Sequence, residues 1–143
     1  MSELIKTLVL ANLSNQTKLL EALQVAKFFG IENVILIKPA GTVAQYGLAL
    51  AYKEFGPQLK IAVLPEIEDI FSFLNINKEN CIGLVLEGTT GEIPKLPEHI
   101  ETLILSFAYP QNPKLFENLG INHIQINEKL PEVVNLALIF ARE

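Results

Sequence analysis

The stretch TLVLANLSNQTKLLEALQVAKFFGIENVILIK, residues 7–38, decides the fold. It opens on one apolar run, Thr7 to Leu10, and closes on another, Val34 to Lys38. Apolar residues in succession suit strands covered on both faces. Between the runs, Leu19, Leu23, Ala26 and Phe29 recur at helical spacing, and Gly30 supplies a stop. The unit reads strand, helix, strand.

Outward from it, the alternation repeats. Ile61 to Leu64, Ile82 to Leu86, Thr102 to Leu105 and His123 to Ile126 read as further strands. Thr42 and Gln45 have capping-box spacing, ahead of a stripe of Ala44, Leu48, Ala51 and Phe55 that Gly56-Pro57 ends. Pro65 is suited to opening a third helix, with Glu66, Glu68 and Asp69 in a first turn where the macrodipole favours anions. Such alternation predicts one α/β domain over residues 1–143. Its sheet is largely parallel, of about six strands, with helices on both faces and a ligand site at the carboxyl ends of the strands. The longest irregular stretch, Gly88 to His99, follows a strand, where such folds place functional loops. After Pro131, the residues Val133, Val134, Leu136 to Ala141 leave almost no polar face, so a homodimer interface is expected there.

Composition narrows the class. The chain has 143 residues, half of them hydrophobic, and a mean hydropathy of +0.33. No apolar run reaches the roughly 18 to 20 residues of a membrane span, and no secretory leader pattern opens the chain. A soluble, cytoplasmic protein without a membrane partner is expected. The net charge of -5 and pI near 5.1 argue against general charge-driven nucleic-acid binding, although a local basic face stays open. Among the 11 lysines and arginines only Arg142 is an arginine, so guanidinium clamps on phosphate are nearly excluded.

Several chemistries fall away. The turn after the first strand reads Asn12-Leu13-Ser14-Asn15, without the glycines of a dinucleotide fold, and no P-loop occurs. Glu66, Glu68 and Asp69 read as an acidic first turn rather than a metal site, and no metal is expected. Cys81 reads as core rather than nucleophile, and His99 and His123 lack a carboxylate at useful spacing. Two loops remain. Asn12, Ser14, Asn15 and Lys18 suit either capping or ligand contact at a helix start. Glu87-Gly88-Thr89-Thr90-Gly91 carries two glycines that let backbone amides approach a ligand, or form a simple turn.

With these residues in view, the chain resembles the SPOUT (α/β-knot) superfamily of RNA methyltransferases, and most closely a small archaeal SPOUT-like family often labelled a RecB-type nuclease. Residues 8–39 are similar to the opening SPOUT unit. KPAGTVAQYG, residues 38–47, and the LPEIED run at 64–69 resemble the archaeal family. GLVLEGTTGEI at 83–93 is similar to the strand and glycine loop that begins the knot, and residues 123–143 to its last strand and helix.

The resemblance implies a carboxyl-terminal trefoil knot, a homodimer, and S-adenosylmethionine held on the knot loops for methyl transfer to RNA, either tRNA or rRNA. Carried over by residue, it puts the cofactor against Leu86, Glu87, Gly88 and Gly91, against Ser106 and on to Gln111, and against Ile124, Ile126 and Asn127. The RNA would approach over Asn12 to Lys18, with Asn12 and Lys18 as catalytic candidates and Glu87 as candidate base. Two departures stand out. The first-helix arginine of many ribose-methylating relatives is absent, with Gln24 or Lys18 near its place, and the Ser-Leu-Asn signature reads Val133-Val134-Asn135. The alternative is a non-catalytic knotted module that binds RNA or a nucleotide. The nuclease label finds no supporting constellation of carboxylates and lysine.

Overall fold

A computed structural model describes residues 5–88, 93–108 and 111–142. Six strands, β1 (Thr7–Ala11), β2 (Asn33–Ile37), β3 (Lys60–Leu64), β4 (Cys81–Leu86), β5 (Thr102–Ser106) and β6 (Asn122–Ile126), form one sheet in the order β3-β2-β1-β5-β4-β6. Every pairing is parallel. The chain marches outward from β1 to β3, crosses to β4, places β5 between β1 and β4, and finishes with β6 at the far edge. Each expected strand is therefore present, displaced by at most one residue. Lys38 alone falls outside, because it turns the chain at φ 50°.

Side-chain alternation sorts the helices onto two faces. Leu8 and Leu10 of β1, Val34 and Leu36 of β2, and Leu103 and Leu105 of β5 point into the larger core, beneath α1 (Gln16–Phe28), α2 (Leu48–Phe55) and α5 (Glu132–Arg142). Val9 and Ala11, Ile35 and Ile37, and Ile104 point the other way, toward α3 (Asp69–Leu74) and α4 (Lys114–Leu119). Both faces of the central strands are covered, which is why they read as unbroken apolar runs. On the second face the ring of Phe116 lies so close to Gly83 that a Cβ there would meet it at 2.5 Å. Cys81 is buried beside it in the same core, and burial pushes its thiol up to about 11.

Helix starts depart from expectation twice. Thr42 is helical at φ -65° and makes no cap; its hydroxyl instead donates to the Ser14 carbonyl (3.1 Å) and accepts from the Gln16 N–H (3.0 Å). A π-helical turn, Val43–Gly47, then precedes α2. The wider turn moves the buried stripe to Val43, Gly47, Ala51 and Phe55, leaving Ala44 exposed. Pro65 does not open α3 either. The carboxylate of Asp69 accepts from the Glu66 N–H (3.0 Å), which holds a turn over 65–68 and delays the helix to Asp69. No helix among the described residues is long and apolar enough to cross a membrane.

Candidate functional site

The strand register brings the candidate residues to one edge of the sheet. Ala11 of β1 faces Ser106 of β5, and Leu86 of β4 faces Ile126 of β6, so the loops after β1, β5, β4 and β6 emerge side by side in that order. Parallel strands place all their carboxyl ends together, and a ligand site commonly forms there.

Three of these loops are bonded to one another. The Glu87 N–H donates to the Ile126 carbonyl (3.1 Å), and the Glu128 N–H to the Gly88 carbonyl (3.0 Å), joining the loops after β4 and β6. Gln111 joins the loop after β5 to the same group. Its Nε2 donates to the carbonyls of Ser106 (2.8 Å) and Ala108 (2.9 Å), and its Oε1 accepts from the Leu86 N–H (3.4 Å). Asn135 of α5 braces the loop after β6 from below, its Nδ2 donating to the carbonyls of Asn127, Leu130 and Pro131. A side-chain amide answering backbone carbonyls in this way fixes a loop that regular structure cannot.

Leu86, Glu87, Gly88, Ser106, Ile126 and Asn127 thus meet in one cluster. Gly88 sits at φ +80°, a conformation other residues rarely adopt, and a Cβ there would have nothing within 4 Å. Glu87 is exposed and its carboxylate accepts from Gln125 Nε2 (3.0 Å). Asn127 Oδ1 accepts from the Lys129 N–H (2.8 Å). The side chain of Ile126 is buried in the larger core, and that of Ile124, two residues earlier in β6, is half-buried against it. Gly91 lies outside the described residues.

The loop after β1 divides its candidates. Asn15 caps α1, its Oδ1 accepting from the Lys18 N–H (3.0 Å), which fulfils the capping reading for that residue. Asn12, at φ 60°, lines a cavity of about 360 Å³ with Ser106, Gln111, Asn112 and Leu115, on the α4 side. Lys18 turns toward α5, where its Nζ lies 3.2 Å from Glu132 Oε1 and 5.9 Å from the centre of the Phe107 ring. Glu66, Glu68 and Asp69 do not converge; Glu66 pairs with Lys38 (3.1 Å), and Asp69 closes its own turn. Glu132 was not expected. A carboxylate just inside a helix start reads as a solvated dipole partner, and only the packing of α5 against α1 shows that it is buried.

The sequence matches no protein-family model and no curated protein. Solved structures do match. An rRNA methyltransferase from Sinorhizobium meliloti with AdoMet bound superposes with a TM-score of 0.69 at 14% identity, over 96% of this chain and 56% of that one. A protein from Porphyromonas gingivalis assigned to the TrmH family of RNA methyltransferases gives 0.67 at 16% identity, over 96% and 59%. A probable methyltransferase from Bordetella pertussis Tohama I gives 0.63 at 17% identity, over 99% and 98%. This chain therefore spans little more than half the length of the first two and nearly all of the third. It shares the fold of these structures, a parallel six-stranded sheet covered by helices.

Proposed function

We propose that the chain is an S-adenosylmethionine-dependent RNA methyltransferase of the SPOUT class. The observation that carries this reading is the bonding of the loops after β4, β5 and β6 into one unit through Glu87, Gly88, Gln111, Ile126 and Glu128. A ligand held by backbone needs loops that are already fixed, since their ordering would otherwise be deducted from affinity.

The residues present fit such a cofactor. Gly88 leaves its surroundings open, the backbone of Leu86 and Ile126 lies alongside, and the exposed carboxylates of Glu87 and Glu128 favour a cation such as a sulfonium. Leu86, Glu87, Gly88, Gly91, Ser106, Ile124, Ile126 and Asn127 would hold it. When bound, the cofactor supplies an electrophilic methyl group. The chain's own part is to place the acceptor, for which Asn12 and Lys18 stand at the neighbouring loop, and close placement supplies much of the rate in such a transfer. Glu87, its orientation held by Gln125, takes a proton if the acceptor must lose one.

Structures of the same fold include an rRNA methyltransferase from Sinorhizobium meliloti and a protein described in the 2-OH methylation of C/U34 on tRNA, which supports rRNA or tRNA as the partner class. A homodimer is supported by an apolar groove of about 610 Å³ between α1 and α5, bordered by Val25, Phe28, Val133, Val134 and Ala137. Phe28 there is 82% exposed and Val134 41%. The trefoil knot, the kinship with the archaeal family carried by residues 38–47 and 64–69, and a cytoplasmic setting belong to the same proposal. Calorimetric titration with S-adenosylmethionine is its test. Saturable binding is expected, and none at millimolar cofactor would overturn it. The second reading, a non-catalytic module, draws support from the engagement of Lys18 with Glu132 and from the absent arginine. Cofactor binding without transfer of labelled methyl to total tRNA or rRNA would favour it.

A further inference from the structure

One ammonium group touches both sides of the candidate site. Lys18 belongs to the first turn of α1, directly after the loop that carries Asn12. Its Nζ reaches Glu132 Oε1 at 3.2 Å and stands 5.9 Å from the ring centre of Phe107. Phe107 opens the loop after β5, and its N–H donates to the Ala11 carbonyl (2.8 Å). Glu132 begins α5, directly after the loop that follows β6. The same loop is braced by Asn135, three residues beyond Glu132 and so on the same helix face.

The pair is unequal. The side chain of Glu132 is 3% exposed and that of Lys18 is 41% exposed. A carboxylate buried this far is costly unless it is paired, whereas a half-exposed lysine has many other rotamers open to it. The carboxylate is thus the fixed member and the lysine the member it holds.

We propose that Glu132 is a positioning residue: it aims Lys18, and through that pair it couples the acceptor-side loop after β1 to the cofactor-side loop after β6. The proposal rests on the methyltransferase reading for the names of the two sides, but the coupling is a property of the free protein. By linkage, whatever orders residues 126–131 also orders the start of α1, and the reverse. This chain then meets the absence of the first-helix arginine with a lysine whose place is set by a carboxylate from the last helix.

Amide hydrogen exchange on the free, full-length protein tests this with three variants, Glu132→Gln, Lys18→Met and Lys18→Arg. The expected result is exchange faster by about tenfold at the amides of Leu19, Glu128 and Leu130 in E132Q and K18M, with the sheet amides of β1 and β5 unchanged, as for a local opening. K18R, which keeps the cation, should remain near the wild type. Addition of S-adenosylmethionine should slow exchange at Leu19 in the wild type and not in E132Q. Unchanged exchange at Leu19 and Leu130 in E132Q, or acceleration spread evenly over the sheet, would overturn the proposal. A wild type whose exchange ignores S-adenosylmethionine would overturn the cofactor reading, while the free-protein result would still decide the coupling.

Discussion

The Nδ2 of Asn135 donates to the backbone carbonyl of Asn127 at 3.0 Å, linking the first turn of the last helix to the loop that precedes it. The same amide also reaches the carbonyls of Leu130 and Pro131 at 3.3 Å each. Asn135 is 5% exposed, so its amide makes these bonds from a buried position. Asn135→Ala should therefore lower stability by about 1–3 kcal/mol, the cost of losing the hydrogen bonds of a buried side-chain amide. Denaturant unfolding measures it; a loss within 0.5 kcal/mol, roughly what surface changes cause, would mean that the loop satisfies itself.

Gly88 is strained for any residue with a side chain, through its φ of +80° and not through lack of room. Gly88→Val should leave the sheet intact, cost about 1–3 kcal/mol of backbone strain, and abolish S-adenosylmethionine binding. Gly88→Asn should keep more of the binding, since asparagine tolerates the left-handed region better. Calorimetry on both variants reads the contrast, and equal affinities would mean that this loop does not carry the cofactor.

Phe28 and Val134 border the groove between α1 and α5 from opposite sides. A second copy seated there would bury both, so Val134→Lys should shift the protein from dimer to monomer in sedimentation velocity at micromolar concentration. The fold itself should survive, because Val134 lies outside the core. A wild type that sediments as a monomer at high micromolar concentration would show that this groove is not a dimer interface.

Burial pushes the thiol of Cys81 from 9.0 to about 11, with the carboxylate of Glu101 adding to the shift. The folded state thus keeps its proton to a higher pH than the unfolded state does. Stability from this group is complete below about pH 9 and declines as pH rises toward 11, because the unfolded chain loses the proton first. The slope of unfolding free energy against pH between 9 and 11 should flatten in Cys81→Ala after correction for its lower baseline. At pH 8 a thiol reagent should label the wild type only as fast as the core opens.

Six strands, their order along the chain and the parallel character of the sheet were legible in the sequence, because each signal is local. An apolar run such as residues 34–37 has to be covered on both faces wherever it lies, and a stripe such as Leu19, Leu23 and Ala26 presents one face to that sheet whatever its neighbours. The capping role of Asn15 belongs with these, since it depends on contacts three residues away. The family resemblance directs attention to the loops after β4 and β6, and their use for a cofactor belongs to the proposal above. What was not legible is how those loops are held. Gln111 reaches Leu86 across 25 positions, Gln125 reaches Glu87 across 38, and Lys18 meets Glu132 across 114.

The same division explains the corrections. Thr42 and Gln45 have the spacing of a capping box, but the hydroxyl is taken by Ser14 and by Gln16 at the start of α1, 28 and 26 residues earlier, and a π turn follows in its place. Asp69 closes a turn on Glu66 and shortens α3. By itself the sequence determined that this is a parallel α/β fold, since periodicity and turn chemistry need only neighbouring residues. Only the tertiary structure decided that Glu132 is buried, that Lys18 is held by it, and that the loops after β4, β5 and β6 form one bonded unit. Those facts depend on which strands lie side by side, and a polar side chain carries no mark of the distant partner that the fold brings to it.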